Sequence, residues 1–571
     1  MAVQTFKLPL NNAVFPLLST RAPRAVFVPQ LDVAPRLSRG FTGTDDSTDF
    51  NLTQIIYGEN FMPVGEGVRS VGYESVVAPT LNNDFDSIFA LRDSEEATVL
   101  YSPSKGKNYV YDDVAEAWTT ESLADIWAPT VLDSSLDEAD SAVTYAYVDG
   151  KTFVCYSRLK SDDTTPVDMS VMRWDEATKT LIPATASLAN VPFPAGEIDG
   201  IAASNGFLLL WSGLSVAWAP FNGTAFDFTP FNNGSFTGAG NQIPEDVKGK
   251  ITALVSVPGG FVIFTTKNAV AANYYAQSIA SPWVFREIPN AGGIEEYEQA
   301  TVYASLGNIY AYTTAGMQSI SLNNAEVVYP EVSDFISSRE TERYDFNSHS
   351  LVKGSSSVDL FTKVTVIATR FVVVSYGYYP GVFSYALVYD ISMKRWGKLR
   401  IVHRDCFYYT QKTEPGALTY SMMQDVSYTD AETDGLTYES AIAPTQNIST
   451  AHHSLAFLAR SGEVKIAIWT DELRSPEDTA VIVLGRIQLS RSSNIQFNRA
   501  EAEGLQSGNM FVAPSANGRN LSATIPLQDV ERTSDYLCQG EMIDCKNFNL
   551  IVEGAFNLTT ILVEATSAGK L

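Results

Sequence analysis

The sequence predicts a mainly β protein: an irregular β-propeller followed by a second β domain, with an extended N-terminal arm. Three observations predict it. Short bursts of β-branched and aromatic residues, cut by Gly, Asn, Asp and Pro, fill most of the chain. Long stretches of 3.6-residue apolar periodicity are nearly absent. A hairpin pattern also recurs at intervals close to the length of one propeller blade. With 571 residues, 45% hydrophobic and 18% charged, the chain has material for a large buried core and falls outside the disordered and disulfide-scaffold classes.

Residues 1 to 45 are rich in Pro, Ala and Arg, and Arg21, Arg24, Arg36 and Arg39 concentrate positive charge there. This segment reads as an extended arm able to pack along a neighbour, or equally as a mobile terminus. Residues 46 to 440 carry the propeller pattern. Thr152–Tyr156, Phe207–Trp211, Gly260–Phe264, Asn308–Tyr312 and Arg370–Val374 read as strands. Several are entered from the turn pairs Asp149-Gly150, Asn205-Gly206, Gly259-Gly260 and Gly307-Asn308. Aligned on the turn that closes a hairpin, Tyr111-Asp112 is followed by Trp118, Trp174-Asp175 by Leu181, Trp218-Ala219-Pro220 by Phe226, and Tyr389-Asp390 by Trp396. Weaker copies are Tyr275-Ala276 with Trp283 and Leu322-Asn323 with Tyr329. The turn residue can satisfy backbone N–H groups through its carboxylate or amide, and the aromatic returns to pack between neighbouring sheets. A β-sandwich also gives regular hairpins; repetition favours the propeller. From residue 441 to 571 the texture changes. Strand-like segments at Val464–Trp469, Ala480–Leu489, Ile495–Phe497, Asn549–Glu553 and Thr560–Glu564 read as a C-terminal β domain involved in assembly.

The formal net charge of −26 argues against a surface that grips phosphate backbones. Four cysteines (Cys155, Cys406, Cys538, Cys545) cannot frame so long a chain. Four histidines (His349, His403, His452, His453) show no metal-ligand spacing, so no metal and no cofactor is expected. The N-terminus lacks the pattern of a secretory signal, and the longest apolar runs are strand-sized, so no stable membrane insertion is expected.

Candidate chemistry is sparse. Asp45-Asp46 with Asp49, Asp112-Asp113, Asp162-Asp163 and Glu295-Glu296 are adjacent acidic pairs. Neighbours in extended chain point to opposite faces, so adjacency makes no catalytic dyad. Asp45–Asp49 lacks the glycine and distant Glu of an EF-hand loop and reads as a solvated turn. No nucleophile elbow or phosphate loop occurs, and Gly65-Glu66-Gly67 reads as a turn. His349-Ser350 and His453-Ser454 are only sequence neighbours, and His403 beside Arg404 and Asp405 reads as a structural ion-pair residue. No catalytic residue is assigned, and an enzyme is not expected. The abundant Tyr and Phe leave one alternative, a propeller tail protein that binds or cleaves polysaccharide.

Five stretches together resemble tail proteins of short-tailed bacteriophages: Met62–Tyr73, Thr314–Ile320, Glu326–Phe335, Lys394–Leu399 and Asn547–Asn557. The family is the tail nozzle or hub group, called tail tubular protein B or packaged-DNA stabilisation protein. The resemblance implies a subunit in the virion, made in the host cytoplasm, that forms a ring of six beneath a tail adaptor. Tail fibres or spikes would be further partners. The ring would be the distal DNA conduit, retaining the genome and opening for ejection, with no sequence-specific binding of DNA. Gate loops and channel-facing residues are not assigned. Six copies at −26 each would carry −156, a charge that suits passage of DNA rather than recognition.

Overall fold

The computed structural model describes residues 3–9 and most of 55–122, 142–157, 171–294, 308–328, 340–409, 454–484 and 495–567. Arg21, Arg24, Arg36, Arg39, Asp45, Asp46, Asp49, Asp113, Asp162, Asp163, Glu295, Glu296, Tyr329, His452 and His453 lie outside the described residues.

The body is a series of antiparallel up-and-down sheets in chain order, the arrangement of propeller blades. Blade 1 is Phe89–Arg92, Thr98–Ser104, Lys107–Asp112 and Ala117–Ser122; blade 2 is Ala142–Val148, Lys151–Ser157, Val171–Asp175 and Thr180–Pro183. Blade 3 is Gly200–Ser204, Phe207–Ser212, Ser215–Pro220 and Gly240–Gln242; blade 4 is Ile251–Val257, Gly260–Thr265, Ala269–Tyr274 and Trp283–Glu287. Blade 5 shows Ile309–Thr313, Gly316–Ile320 and Ala325–Val327. Blade 6 is Phe361–Ile367, Phe371–Gly377, Phe383–Asp390 and Arg395–His403.

Continuous apolar strands arise because each blade is sandwiched between two others. In Phe207–Trp211, Leu208 and Leu210 pack with Phe153 and Cys155 of blade 2, whereas Phe207, Leu209 and Trp211 pack with Phe261 and Ile263 of blade 4. Val262 and Phe264 then meet Ile309 and Ile320 of blade 5. Phe371 and Val373 of blade 6 face Cys406 and Phe457, while Val372 and Val374 turn to the opposite core. Period-2 alternation is therefore present but hidden, since both faces are buried.

The repeated hairpin of the sequence marks the turn between the third and fourth strands. Tyr111 pairs with Trp118, Trp174 with Leu181, Tyr274 with Trp283 and Tyr389 with Trp396. At Asp390 the turn chemistry is visible: its Oδ1 accepts from the Ser392 N–H (2.9 Å) and the Met393 N–H (3.1 Å). Blade 3 departs from the pattern. Pro220 ends the ladder, Phe226 makes only a single antiparallel bridge back to Phe221 and pairs in parallel with Leu188, and the fourth strand is supplied later by Gly240–Gln242. Phe226 is there to fill the core against Phe153, ring centroids 5.5 Å apart.

Blade 7 corrects the domain boundaries read from the sequence. Its strands are Asp405–Tyr409, Ser454–Leu458, Val464–Trp469 and, as the fourth, Gly67–Val77 from the other end of the chain. Its first strand lies beside the first strand of blade 1. The propeller therefore runs past residue 440 and is closed by an N-terminal strand, so neither 46–440 nor 441–571 is a self-contained unit.

The C-terminal sheet is built on a ribbon of two 21-residue strands, Ile495–Ser515 and Asn547–Ser567, paired from Ile495↔Ser567 to Ser515↔Asn547. The far edge of Asn547–Ser567 is taken in turn by Ala480–Leu484, by Val68 and Arg69 of the closing strand, and by Val3–Pro9. Ile55–Glu59 completes the sheet beside Ala480–Leu484. The arm thus begins as a paired strand, and Asn547–Ser567 is a central strand of the C-terminal sheet. Ile482, Leu484, Met510, Val512, Leu550 and Val552 face the propeller, joining Phe61, Val374, Leu387 and Trp396 in one core.

Midway along the ribbon Gly508 (φ 148°) pairs with Gly554 (φ 126°), and a Cβ on Gly554 would lie 2.1 Å from the Ser507 carbonyl oxygen. Gly554→Ala is expected to destabilise the protein by roughly 3 kcal/mol, from left-handed strain plus backbone overlap. Exposed Asn509→Ala is expected to stay within about 0.5 kcal/mol. Guanidinium unfolding of the two variants checks this.

Candidate functional site

Few of the residues singled out in the sequence come together. Asp112 ends the third strand of blade 1 opposite Ala117, and Gly65 (φ 50°) turns Phe61–Val64 into the closing strand. Ser350 and Ser454 begin strands opposite Asp345 and Tyr409. Cys155 and Cys406 are buried and free, while Cys538 and Cys545 pair with Ala500 and Ile495 in the C-terminal sheet. Among the described residues no group of three or more His, Cys, Asp or Glu could hold a metal ion, and no helix is long and apolar enough to cross a membrane.

His403 is not an ion-pair residue. Its Nδ1 lies 2.8 Å from the Ile401 carbonyl oxygen and its Nε2 2.7 Å from Ser375 Oγ, while Asp405 pairs with Lys363 at 2.8 Å. Burial lowers the imidazole to about 4, so Nδ1–H donates to the carbonyl and the Ser375 hydroxyl donates to Nε2. Burial also pushes the adjacent Cys406 thiol up to about 12. A serine, a histidine and a thiol meet here, but His403 and Cys406 are sealed from solvent and no carboxylate orients the ring. The cluster is a satisfied polar spot in the core of blades 6 and 7.

The largest concentration of buried polar chemistry lies where the propeller meets the C-terminal sheet. Asn60, in the left-handed region (φ 54°) between Ile55–Glu59 and Phe61–Val64, ties three elements. Its Oδ1 accepts from Arg400 N–H of blade 6 (2.9 Å) and from Tyr73 O–H of the closing strand (2.9 Å), and its Nδ2 donates to the Thr479 carbonyl (3.4 Å). Ten residues on, Ser70 Oγ donates to the Thr470 carbonyl (2.8 Å) and accepts from Phe556 N–H (3.0 Å) of the ribbon.

Glu59, wholly buried, accepts a hydrogen bond from the Tyr57 hydroxyl. It faces Lys398 Nζ at 3.9 Å and Arg400 Nη1 at 3.4 Å. Lys398 is 3% exposed, and its ammonium lies over the rings of Tyr57 (4.5 Å) and Tyr385 (4.6 Å). Burial, then the Glu59 charge, pushes the Tyr57 phenol well above its ordinary value. Tyr57 Oη in turn accepts from Tyr344 N–H (3.1 Å), and the Tyr344 hydroxyl donates to Glu553. One chain of polar contacts thus runs from blade 6 through Glu59 and Tyr57 to the ribbon. Every acid and base in it is paired within the protein, so it fixes geometry rather than offering a reagent to a substrate.

Nothing in the sequence marked Glu59 or Asn60, and Ser70 and Lys398 were marked only by lying within the resembling stretches Met62–Tyr73 and Lys394–Leu399. The available signal was weak: an acidic residue and Asn between two apolar segments, Ile55–Tyr57 and Phe61–Val64.

No protein-family model and no curated protein matches the sequence. Solved structures similar to the chain include the β-propeller domain of Myceliophteria thermophila Cps50 (Swd1), 10% identical, with a TM-score of 0.36 over 70% of this chain and 100% of that one. Streptogramin B lyase is 6% identical, with a TM-score of 0.33 over 70% of this chain and 98% of that one. The extracellular domain of a one-component system from B. thetaiotaomicron is 9% identical, with a TM-score of 0.31 over 82% of this chain and 47% of that one. At this distance they carry no argument about function, and the propeller assignment rests on the strand pairing itself.

Two tests follow from the buried groups. Glu59→Gln leaves the Lys398 ammonium buried without its carboxylate and is expected to destabilise by about 3 kcal/mol. The double variant Glu59→Gln with Lys398→Met is expected to recover most of that loss in a denaturation double-mutant cycle. His403 stays neutral in the folded protein to about pH 4, whereas the unfolded chain takes up the proton near 6.5. Its contribution is therefore intact above about pH 6.5 and declines as pH falls to about 4, by about 3 kcal/mol. The difference between wild-type and His403→Gln unfolding curves at pH 7 and pH 4.5 isolates this effect.

Proposed function

We propose that this protein is a structural tail protein of a short-tailed phage, a ring-forming nozzle or hub subunit whose propeller and C-terminal sheet make the wall of the distal DNA conduit. The observation that carries the reading is where the five resembling stretches lie. Val68, Met317, Val332 and Trp396, together with Phe548, Leu550, Val552 and Phe556, each come from one of those stretches, and all belong to one core between blades 5 and 6 and the ribbon. Segments scattered along the whole sequence that resemble one family therefore converge on a single junction. That junction sets the angle between propeller and sheet, the quantity on which the closure of a ring depends.

The role is positional and needs no catalytic residue. A formal net charge of −26 per subunit disfavours adhesion of phosphate, since each neutralised phosphate would release counterions and hold the duplex. The partners in this reading are further copies of the chain, a tail adaptor above and fibres or spikes at the side; the site of action is the virion tail.

Mass photometry of the purified protein, with and without the upstream tail components, tests the proposal. The expected result is a defined ring, or a monomer that becomes a ring of six on the adaptor. A stable monomer or trimer indifferent to tail partners would overturn it and direct attention to polysaccharide binding.

A further inference from the structure

Between blades 5 and 6 the chain forms a hairpin, Glu340–Asp345 with Ser350–Ser355, that is a two-stranded sheet of its own and, among the described residues, is paired with no other strand. It lies over the face of the C-terminal sheet turned away from the propeller. There Val481, Val483, Phe511, Ala513 and Ile551 form an apolar strip that Tyr344, 1% exposed, and Phe346 cover. Among the described residues, side-chain contacts near its tip hold the hairpin to that strip. The Tyr344 hydroxyl donates to Glu553, His349 Nδ1 lies 2.8 Å from the same carboxylate, and Tyr344 N–H donates to Tyr57 Oη at 3.1 Å. The His349 ring also stacks on Phe511, centroids 4.0 Å apart at 21°.

We infer that hairpin Glu340–Ser355 is a releasable strap, latched at its tip by His349 and Tyr344 on Glu553, which opens as a unit without unfolding the sheet beneath. Two features lower the cost of opening. Among the described residues no ladder hydrogen bond to another sheet is broken, so the lifted hairpin keeps its own pairing. Glu553 is nearly buried under the strap and regains water on release, which offsets part of the cost of exposing Phe511 and Ile551. The tip keeps its shape meanwhile, because Asp345 Oδ1 accepts from Asn347 N–H (3.0 Å) and Oδ2 from the Ser348 hydroxyl (2.8 Å).

Hydrogen exchange on the full chain, read peptide by peptide, tests the strap. In the wild type, amides of 340–355 are expected to exchange well before those of Ala480–Leu484 and Leu550–Glu553. In His349→Ala, and separately in Tyr344→Phe, exchange of 340–355 is expected to rise about tenfold or more while Phe207–Ser212 of blade 3 is unchanged. His349 is partly exposed at a turn, so its variant is the one least able to disturb folding. Equal protection of hairpin and underlying sheet in the wild type would overturn the inference. So would an acceleration in both variants spread evenly over the protein. The test needs no ring and no tail component, so it stands or falls apart from the proposed function.

Discussion

The structure depends on one constraint: the propeller closes only when residues 67–77 reach Val464–Trp469. Six blades can form by local hairpins, each strand finding a neighbour a few residues away. The seventh cannot. Its fourth strand comes from near the N-terminus, so blade 7 has to wait for a loop spanning nearly the whole propeller, and its entropy cost must be offset by contacts made on arrival. Those contacts are dense. The closing strand pairs with blade 7 along its second half and touches the ribbon at Val68 and Arg69, while the preceding Phe61 pairs with Lys398 of blade 6. Ser70 and Asn60 then satisfy the backbone groups that such a crossing would leave without a ladder.

That arrangement explains why charge is buried at the seam. Where three sheets meet, edges cannot all continue as ladders, and polar groups must be satisfied by side chains or not at all. Beside them Glu59, Lys398 and Arg400 pair with one another, and the Lys398 ammonium packs over Tyr57 and Tyr385. An apolar replacement of the same shape could be as stable, since desolvating three charges is expensive. What the charges add is register. Glu59 has two cationic partners at 3.9 and 3.4 Å, both on one strand of blade 6, and a slip by one residue would turn every one of them to the wrong face.

The β class, the hairpin repeat and the turn residues were legible because they are local. Asp390 caps its turn through atoms two and three residues away, and Trp396 lies directly across from Tyr389, so spacing alone reveals them. Blade 3 misled for a local reason too: Phe226 has the right spacing after Pro220 but packs on blade 2. The domain boundary at 440 was not legible. Strand Gly67–Val77 carries alternating residues that fit any sheet, and nothing in it says that its partner lies some four hundred residues away. The polar seam was invisible for the same reason, because Asn60 and Ser70 are ordinary turn and strand residues until the elements they bridge are brought together. His403 was misread because its sequence neighbours, Arg404 and Asp405, are charged. The strand ends at His403 and the bend at Arg404 carries Asp405 into the next strand, where it pairs with Lys363; the ring's real partners are Ser375 and a carbonyl two residues back.

Closure by both ends also shapes how the molecule can yield. Strands from residues 55–77 and 454–567 are interleaved, so pulling propeller and C-terminal sheet apart would break ladders in blade 7, beside blade 6 and along Ala480–Leu484 at once. The two are therefore joined by shared ladders rather than by side-chain packing alone. Hairpin Glu340–Ser355 lies outside that interleaved set: it is inserted between blades, pairs among the described strands only with itself, and meets the sheet through side chains. Lifting it would break none of the described ladders that join propeller to sheet, whatever the assembly in which the chain works.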